Sequence, residues 1–170
     1  MKYIKLSLLS LFLIISASNL FAQGPRGNSF GFGLILGDPT GATIKYWTNN
    51  ENAFTASIGS SYFGNIRLGG DYLWHFDAFN SRVVKMYAGP GIVLGFGQSH
   101  GGFWWGDKHD KFYYWDDTHS VGFAGRVVFG INIIPKRSPI EIFFELGPLI
   151  GISPAFGVNL DAAAGIRFYP

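Results

Sequence analysis

The stretch IRLGGDYLWHF, residues 66 to 76, splits into two unlike faces when alternate positions are collected. Ile66, Leu68, Gly70, Tyr72, Trp74 and Phe76 fall on one side, and Arg67, Gly69, Asp71, Leu73 and His75 on the other. A period of two marks a strand with one greasy and one polar face. The same reading predicts strands over 28–37, 42–48, 53–62, 66–76, 83–96, 119–134, 140–150 and 157–169. Clusters rich in Pro, Gly, Asn and Asp at 38–41, 48–52, 63–65, 77–82, 135–139 and 153–157 supply the turns, and a long segment, 97–118, separates the fifth and sixth strands. There is no long amphipathic helical pattern, no linker and no second domain.

Collected over all strands, one face holds Phe32, Leu34, Leu36, Ile44, Tyr46, Phe54, Ala56, Ile58, Met86, Ala88, Ile92, Leu94, Phe123, Val127, Phe129, Ile131, Ile142, Phe144, Leu146, Leu160, Ile166 and Phe168, and carries no charge. The other mixes Gly, Ser and Thr with Lys45, Arg67, Asp71, Lys85, Arg126, Glu141, Glu145, Asp161 and Arg167. An eight-stranded barrel has an interior only just wide enough for side chains. Some thirty large apolar residues do not fit there, whereas Gly31, Gly33, Ser57, Gly59, Gly69, Gly89, Gly91 and Gly165 do. The pattern is therefore inside out. It predicts an all-β, closed, eight-stranded antiparallel transmembrane barrel, with a soluble lipocalin-like or sandwich fold as the alternative. With both termini at one end, the odd-numbered connections face outward and include the long segment, an asymmetry expected of outer-membrane barrels. Tyr46, Phe54, Trp74, Phe76 and Phe168 are expected at the periplasmic rim, and Tyr62 and Phe96 at the outer one.

Composition sharpens this picture. Charged residues are 14% of the chain and hydrophobic ones 48%, against about a quarter charged in ordinary soluble domains. Lys2 and Lys5, the apolar run Leu6 to Ile15 and the small residue Ala22 predict a cleaved signal peptide over 1–22 and a mature barrel domain over 23–170. Of 13 basic residues the leader takes two, leaving 11 against 11 acidic ones. The mature chain carries no basic patch, which argues against nucleic acid as a partner. With no Cys there is no disulfide framework, thiolate metal site or lipoprotein anchor.

The segments GFGLILGDPTGATIKYW, GGDYLWHF, IEIFFELGPLIGISP and GVNLDAAAGIRFYP together resemble a family of small outer-membrane β-barrel proteins with an OmpA-like eight-stranded transmembrane domain. The resemblance covers most of residues 28–170 and specifies an architecture without a chemistry. It implies residence in a bacterial outer membrane, contact with its lipid, and assembly machinery that reads an aromatic residue at the end of the last strand. This chain ends Phe168-Tyr169-Pro170, so that aromatic is displaced by one position.

Candidate chemistry is sparse. The inward charges are expected to pair across the lumen as an ionic plug, with Arg67, Asp71, Glu145 and Arg167 in one network; a very narrow pore is the functional alternative. In the long segment Trp104, Trp105, His109, Tyr113, Tyr114 and Trp115 are candidate contacts for an extracellular ligand. His100, Asp107, His109, Asp110, Asp116, Asp117 and His119 match neither HExxH nor an EF-hand spacing, and no cofactor is expected. His119-Ser120 with Glu145 offers the residue types of a lipid A deacylase of the PagL type, but such a triad must face the bilayer and Glu145 carries lumenal parity. There is no GxSxG or P-loop. The expected role is structural or surface-interacting, with lipid A modification as the enzymatic alternative.

Overall fold

The computed structural model describes residues 25–81, 83–97, 121–135, 138–154 and 156–170. The leader at 1–22 and Trp104, Trp105, His109, Tyr113, Tyr114 and Trp115 lie outside the described residues. After a short 3-10 turn at Pro25–Gly27 come eight strands: β1 (Phe30–Gly37), β2 (Thr40–Trp47), β3 (Asn52–Ser60), β4 (Ile66–Phe76), β5 (Val84–Phe96), β6 (Val121–Ile133), β7 (Ile140–Ser153) and β8 (Gly157–Phe168). Each pairs antiparallel with its neighbour, and β8 closes onto β1. The strands fall where alternation puts them. β2 starts two residues earlier than expected, and β7 runs three residues further, to Ser153, because Gly151 and Ile150 keep pairing with Gly157 and Val158.

The closure has a stagger. Directly opposed residues lead from Gly33 through Thr43, Ser57, Gly69, Val93, Ala124 and Gly151 to Gly157. Gly33's partner on its other side is Arg167, so one circuit displaces the register by ten residues, 167 minus 157. Such shear tilts the strands by roughly 35–45° and leaves an interior that side chains can fill. β1 and β2 have 8 residues each whereas β5, β6 and β7 have 13, 13 and 14, so the wall is taller on one side.

Two prolines interrupt the ladder at one level. Pairing of β4 with β5 skips from Asp71–Gly91 to Trp74–Ala88 beside Pro90, and that of β6 with β7 from Arg126–Leu149 to Phe129–Leu146 beside Pro148. Without an N–H neither residue can donate, and a closed barrel has no free edge to place it on. Each keeps its register on the opposite side, Pro90 with Val127 and Pro148 with Leu160.

Burial alternates with the sequence. Leu34, Ile92, Phe144, Leu146 and Leu160 are each more than half exposed on the outer face, while Lys45, Arg67, Glu141 and Arg167 are buried within. An apolar belt right round the molecule far exceeds the few hundred Å² that soluble monomers tolerate. The interior also holds large rings beside the charges. Trp47, Tyr87, Phe143 and Tyr169 are essentially inaccessible, and three of them lie on glycines: a Cβ at Gly130 would overlap the Tyr87 ring, one at Gly165 the Phe143 ring, and one at Gly31 the Tyr169 ring. A glycine on the facing strand is the recess that lets a ring lie flat in so narrow a lumen. One residue expected in the aromatic girdle faces the other way. Tyr62 is not at the outer rim facing lipid; it turns inward and its hydroxyl reaches Asp161.

An outward belt of this kind predicts that Leu146→Arg lowers unfolding free energy in phospholipid vesicles by roughly 2–4 kcal/mol, because a cation is driven into hydrocarbon. Urea titration followed by tryptophan fluorescence measures it. A change within about 0.5 kcal/mol, the usual cost at a water-exposed position, would contradict a lipid-facing belt.

Candidate functional site in the charged lumen

Alternation sends every second residue of β2, β4, β6, β7 and β8 into the lumen, and the charges among them meet there. At the centre Arg126 clasps Asp71 in a two-pronged pair, Nε to Oδ1 at 2.6 Å and Nη2 to Oδ2 at 2.7 Å. Thr55 Oγ1 donates to the same carboxylate at 2.9 Å. Arg126 also lies 3.5 Å from Glu145 Oε2 and 3.5 Å from Asp161 Oδ2. Glu145 accepts the Tyr87 hydroxyl at 3.0 Å and approaches Arg167 Nη2 at 3.6 Å.

Toward the end where β1 begins and β8 finishes, Arg167 hydrogen-bonds Thr43 Oγ1 through Nε and Nη2, at 3.3 and 3.1 Å, and its guanidinium carbon stacks 3.7 Å over the Phe143 ring. Glu141 accepts from three donors, Lys45 Nζ at 2.7 Å, Asn132 Nδ2 at 3.0 Å and the Tyr169 hydroxyl, and Arg167 Nη1 lies within ion-pair distance of it at 3.5 Å. The Lys45 ammonium sits 4.2 Å above the Trp47 ring, and Trp47 Nε1 donates to the Tyr169 hydroxyl at 3.1 Å. His75 Nε2 lies 2.9 Å from Lys45 Nζ and Nδ1 lies 3.1 Å from the Glu51 carbonyl. The ammonium is donor only and the carbonyl acceptor only, so His75 is the neutral tautomer with its proton on Nδ1.

At the other end, Arg67 pairs with Asp161 through Nη2 and reaches Asp38 at 3.4 Å and Ser61 Oγ at 3.3 Å through Nη1. Asp38 lies in the β1–β2 turn, and burial pushes its carboxyl up to about 6 from 3.8, against the lowering influence of Ser61 and Arg67. A cavity of about 10 Å³ bounded by Asp38, Arg126, Glu145 and Asp161 is the size of one water molecule.

The structure thus joins Lys45, Arg67, Asp71, Arg126, Glu141, Glu145, Asp161 and Arg167 into one continuous chain of ion pairs. Arg67 and Asp71 share a face of β4 yet do not pair with each other; Asp161 and Arg126 stand between them. Lys85 needs correction. It occupies the rim of β5 beyond the network, with Nζ 3.4 Å from the Asn50 carbonyl and no carboxylate within ion-pair distance among the described residues. Asp38, Thr43, Thr55, Tyr62, His75, Tyr87, Asn132 and Tyr169 belong to the network and were missed in the sequence. Parity could have found several: Tyr87 lies two residues from Lys85, Trp47 two from Lys45, and Tyr169 two from Arg167. Asp38 lies in a turn, where parity gives no signal, and Tyr62 falls past the end of β3 at Ser60, so the parity of a strand continued to 62 misplaces it. Among the described residues no group of three or more His, Asp or Glu could hold a metal ion.

Removing one member of such a network strands its partners. Glu141→Ala is expected to destabilise the detergent-folded barrel by roughly 3–5 kcal/mol, because Lys45 keeps its burial and loses its anion while Arg167 is left with Glu145 alone. Lys85→Ala at the rim should stay within about 0.5 kcal/mol. Parallel urea titrations in micelles compare the two; equal effects would mean that the lumenal pairs are solvated.

No protein-family model and no curated protein matches the chain. Among solved structures it is similar to the crystal structure of the N-terminal β-barrel domain of Pseudomonas aeruginosa OprF, with a TM-score of 0.61 and 14% sequence identity, over 86% of this chain and 98% of that one. At that identity the likeness concerns the fold: the chain is a closed eight-stranded antiparallel barrel of the OprF and OmpA-like type.

Proposed function

We propose that the protein is an integral barrel of a bacterial outer membrane, with a structural or surface-interaction role and a lumen that passes no solute. The observation that carries this reading is the filled interior. The charged network is stoppered at one end by Trp47, Ala53 and Tyr169, at the other by Phe63, Val93, Ala124 and Leu149, and is crossed in between by Leu73, Tyr87 and Val128. A proton relay is disfavoured as well, since the ion-pair chain passes through Arg126 and Arg167, whose guanidinium groups do not release protons in proteins.

Lipid contact follows from the uncharged outer belt. Outer-membrane location is supported by that belt together with the OprF-like fold. Recognition by the assembly machinery is best assigned to Phe168, which faces outward at the end of β8, whereas Tyr169 turns inward and is buried. A surface partner would meet the aromatic-rich segment between β5 and β6, where the strands are among the longest. A lipid-modifying activity is disfavoured because Glu145 is held inside by Arg126 and Tyr87, away from lipid.

In planar bilayers at neutral pH the purified protein is expected to leave conductance at the level of bare lipid. Stepwise openings that disappear in a Glu141→Ala variant would replace the closed-lumen reading with a pore. Lipid A mass spectra from cells with and without the protein should coincide, and a lost or added acyl chain would assign an enzyme.

A further inference from the structure

The turn between β3 and β4 enters the barrel instead of leaving it. Phe63 is fully buried against Val93 of β5, Ala124 of β6 and Leu149 of β7, so it fills the mouth at the end opposite the start of β1 and the finish of β8. Two glycines allow this entry. Gly64 has φ of +100°, which a side chain rarely tolerates, and a Cβ at Gly95 would overlap the Phe63 backbone. Beside the apolar stopper are polar tethers. The Tyr62 hydroxyl donates to Asp161, and Ser61 Oγ lies 3.3 Å from Arg67 Nη1, the same nitrogen that reaches Asp38. One short turn therefore carries both a plug and a latch, and the latch joins it to the β1–β2 turn and to β8.

We propose that the Ser61–Phe63 turn is a movable stopper of the outward mouth, latched by the Asp38–Arg67–Asp161 cluster, which opens onto a blind vestibule without opening the barrel end to end. The vestibule is blind because Leu73, Tyr87 and Val128 cross the lumen below it, and Trp47 and Tyr169 seal the far end. The stopper can move because Phe63 hangs from a turn beside Gly64 and not from a strand. Two carboxylates, Asp38 and Asp161, converge on Arg67, which gives Asp161 the close contact and Asp38 one at 3.4 Å. The groups facing Asp38 are Arg67 from β4, Asp161 from β8, and Ser61 and Tyr62 from the stopper itself; Arg126 from β6 and Glu145 from β7 line the same small cavity.

Burial of Asp38 beneath the closed turn, with Asp161 adding to it, gives the stopper a pH dependence of definite sign. Burial pushes the Asp38 carboxyl up to about 6 in the closed mouth, and release to water would return it toward the ordinary carboxylate range. The closed form then binds more protons than the open one, so acid favours closure. The gain is absent well above pH 6, grows as pH falls through about 6, and is complete near pH 4.

The chain has no Cys, which makes a single introduced thiol a clean reporter. Ala124→Cys places one directly beneath Phe63, and Val93→Cys is a second reporter should the first not fold. Proteins in lipid nanodiscs are treated with a membrane-impermeant thiol reagent, and rates are expressed relative to Asn65→Cys, an exposed position in the connection between β3 and β4. Adding Phe63→Ala should raise the relative rate roughly tenfold, as expected when a local opening step is removed. With Phe63 intact the rate should fall several-fold from about pH 7.5 to about pH 5, and adding Asp38→Asn should abolish that fall while carrying the same thiol. A rate indifferent to Phe63→Ala would show that the turn does not gate the mouth. A pH course that persists unchanged in Asp38→Asn would show that the latch is not the Asp38 cluster.

Discussion

Arg126 holds Asp71 with two nitrogens and stands within ion-pair distance of Glu145 and Asp161, and the rest of the lumen is arranged around that guanidinium. An ion brought from water into a narrow protein interior loses several kcal/mol of solvation, which only well-placed opposite charges and hydrogen bonds can offset. Four cations, Lys45, Arg67, Arg126 and Arg167, therefore face the strand carboxylates Asp71, Glu141, Glu145 and Asp161, with Asp38 added from the β1–β2 turn. Thr43, Thr55, Tyr87 and Asn132 take up hydrogen-bonding capacity that the ion pairs leave over. Three of the four cations are arginines, whose planar, permanently charged fork suits a site where one cation must satisfy several carboxylates.

The two ends of the network are closed by the same device with different attachments. At each end a tyrosine hydroxyl donates to a terminal carboxylate, Tyr169 to Glu141 and Tyr62 to Asp161, while an aromatic side chain, Trp47 or Phe63, shuts out solvent. Excluding water strengthens the bonds inside and raises the cost of any that is missing. The attachments differ in how firmly they are held. Trp47, Ala53 and Tyr169 are locked by β2, β3 and the residue after β8, and Lys45 adds a cation over the Trp47 ring. Phe63 hangs from a turn.

The barrel was legible because its evidence is distributed. Strands such as β4 and β7 read as alternating faces, and the absence of charge from one face everywhere gave its orientation. The interior was only half legible. Charges on the polar face could be named, but Trp47, Tyr87 and Phe143 share that face and resemble ordinary lipid-facing residues until parity is followed strictly. Lys85 failed for a related reason, since parity gives a side without a height and β5 carries that residue past the last layer of carboxylates. Tyr62 and Asp38 were not legible at all. Whether a turn folds into the mouth depends on the space left by Gly95 and on groups brought from β8, which are far apart in sequence.

Register is where the two kinds of interior residue become necessary to each other. Slipping one strand by a single residue would drive its charges into the outer belt, so the greasy alternation forbids that error. Slipping it by two keeps every face correct, and hydrophobicity is blind to the change. The specific contacts are not blind. With β6 displaced by two residues against β5 and β7, Arg126 would leave the level of Asp71 and Gly130 would no longer be the recess beneath the Tyr87 ring. A buried carboxylate without its partner and a ring without its glycine each oppose the slipped state, one by desolvation and the other by overlap. In a closed sheet a slip at one pair must also be absorbed elsewhere in the ten-residue stagger, so these local contacts fix the circumference as a whole.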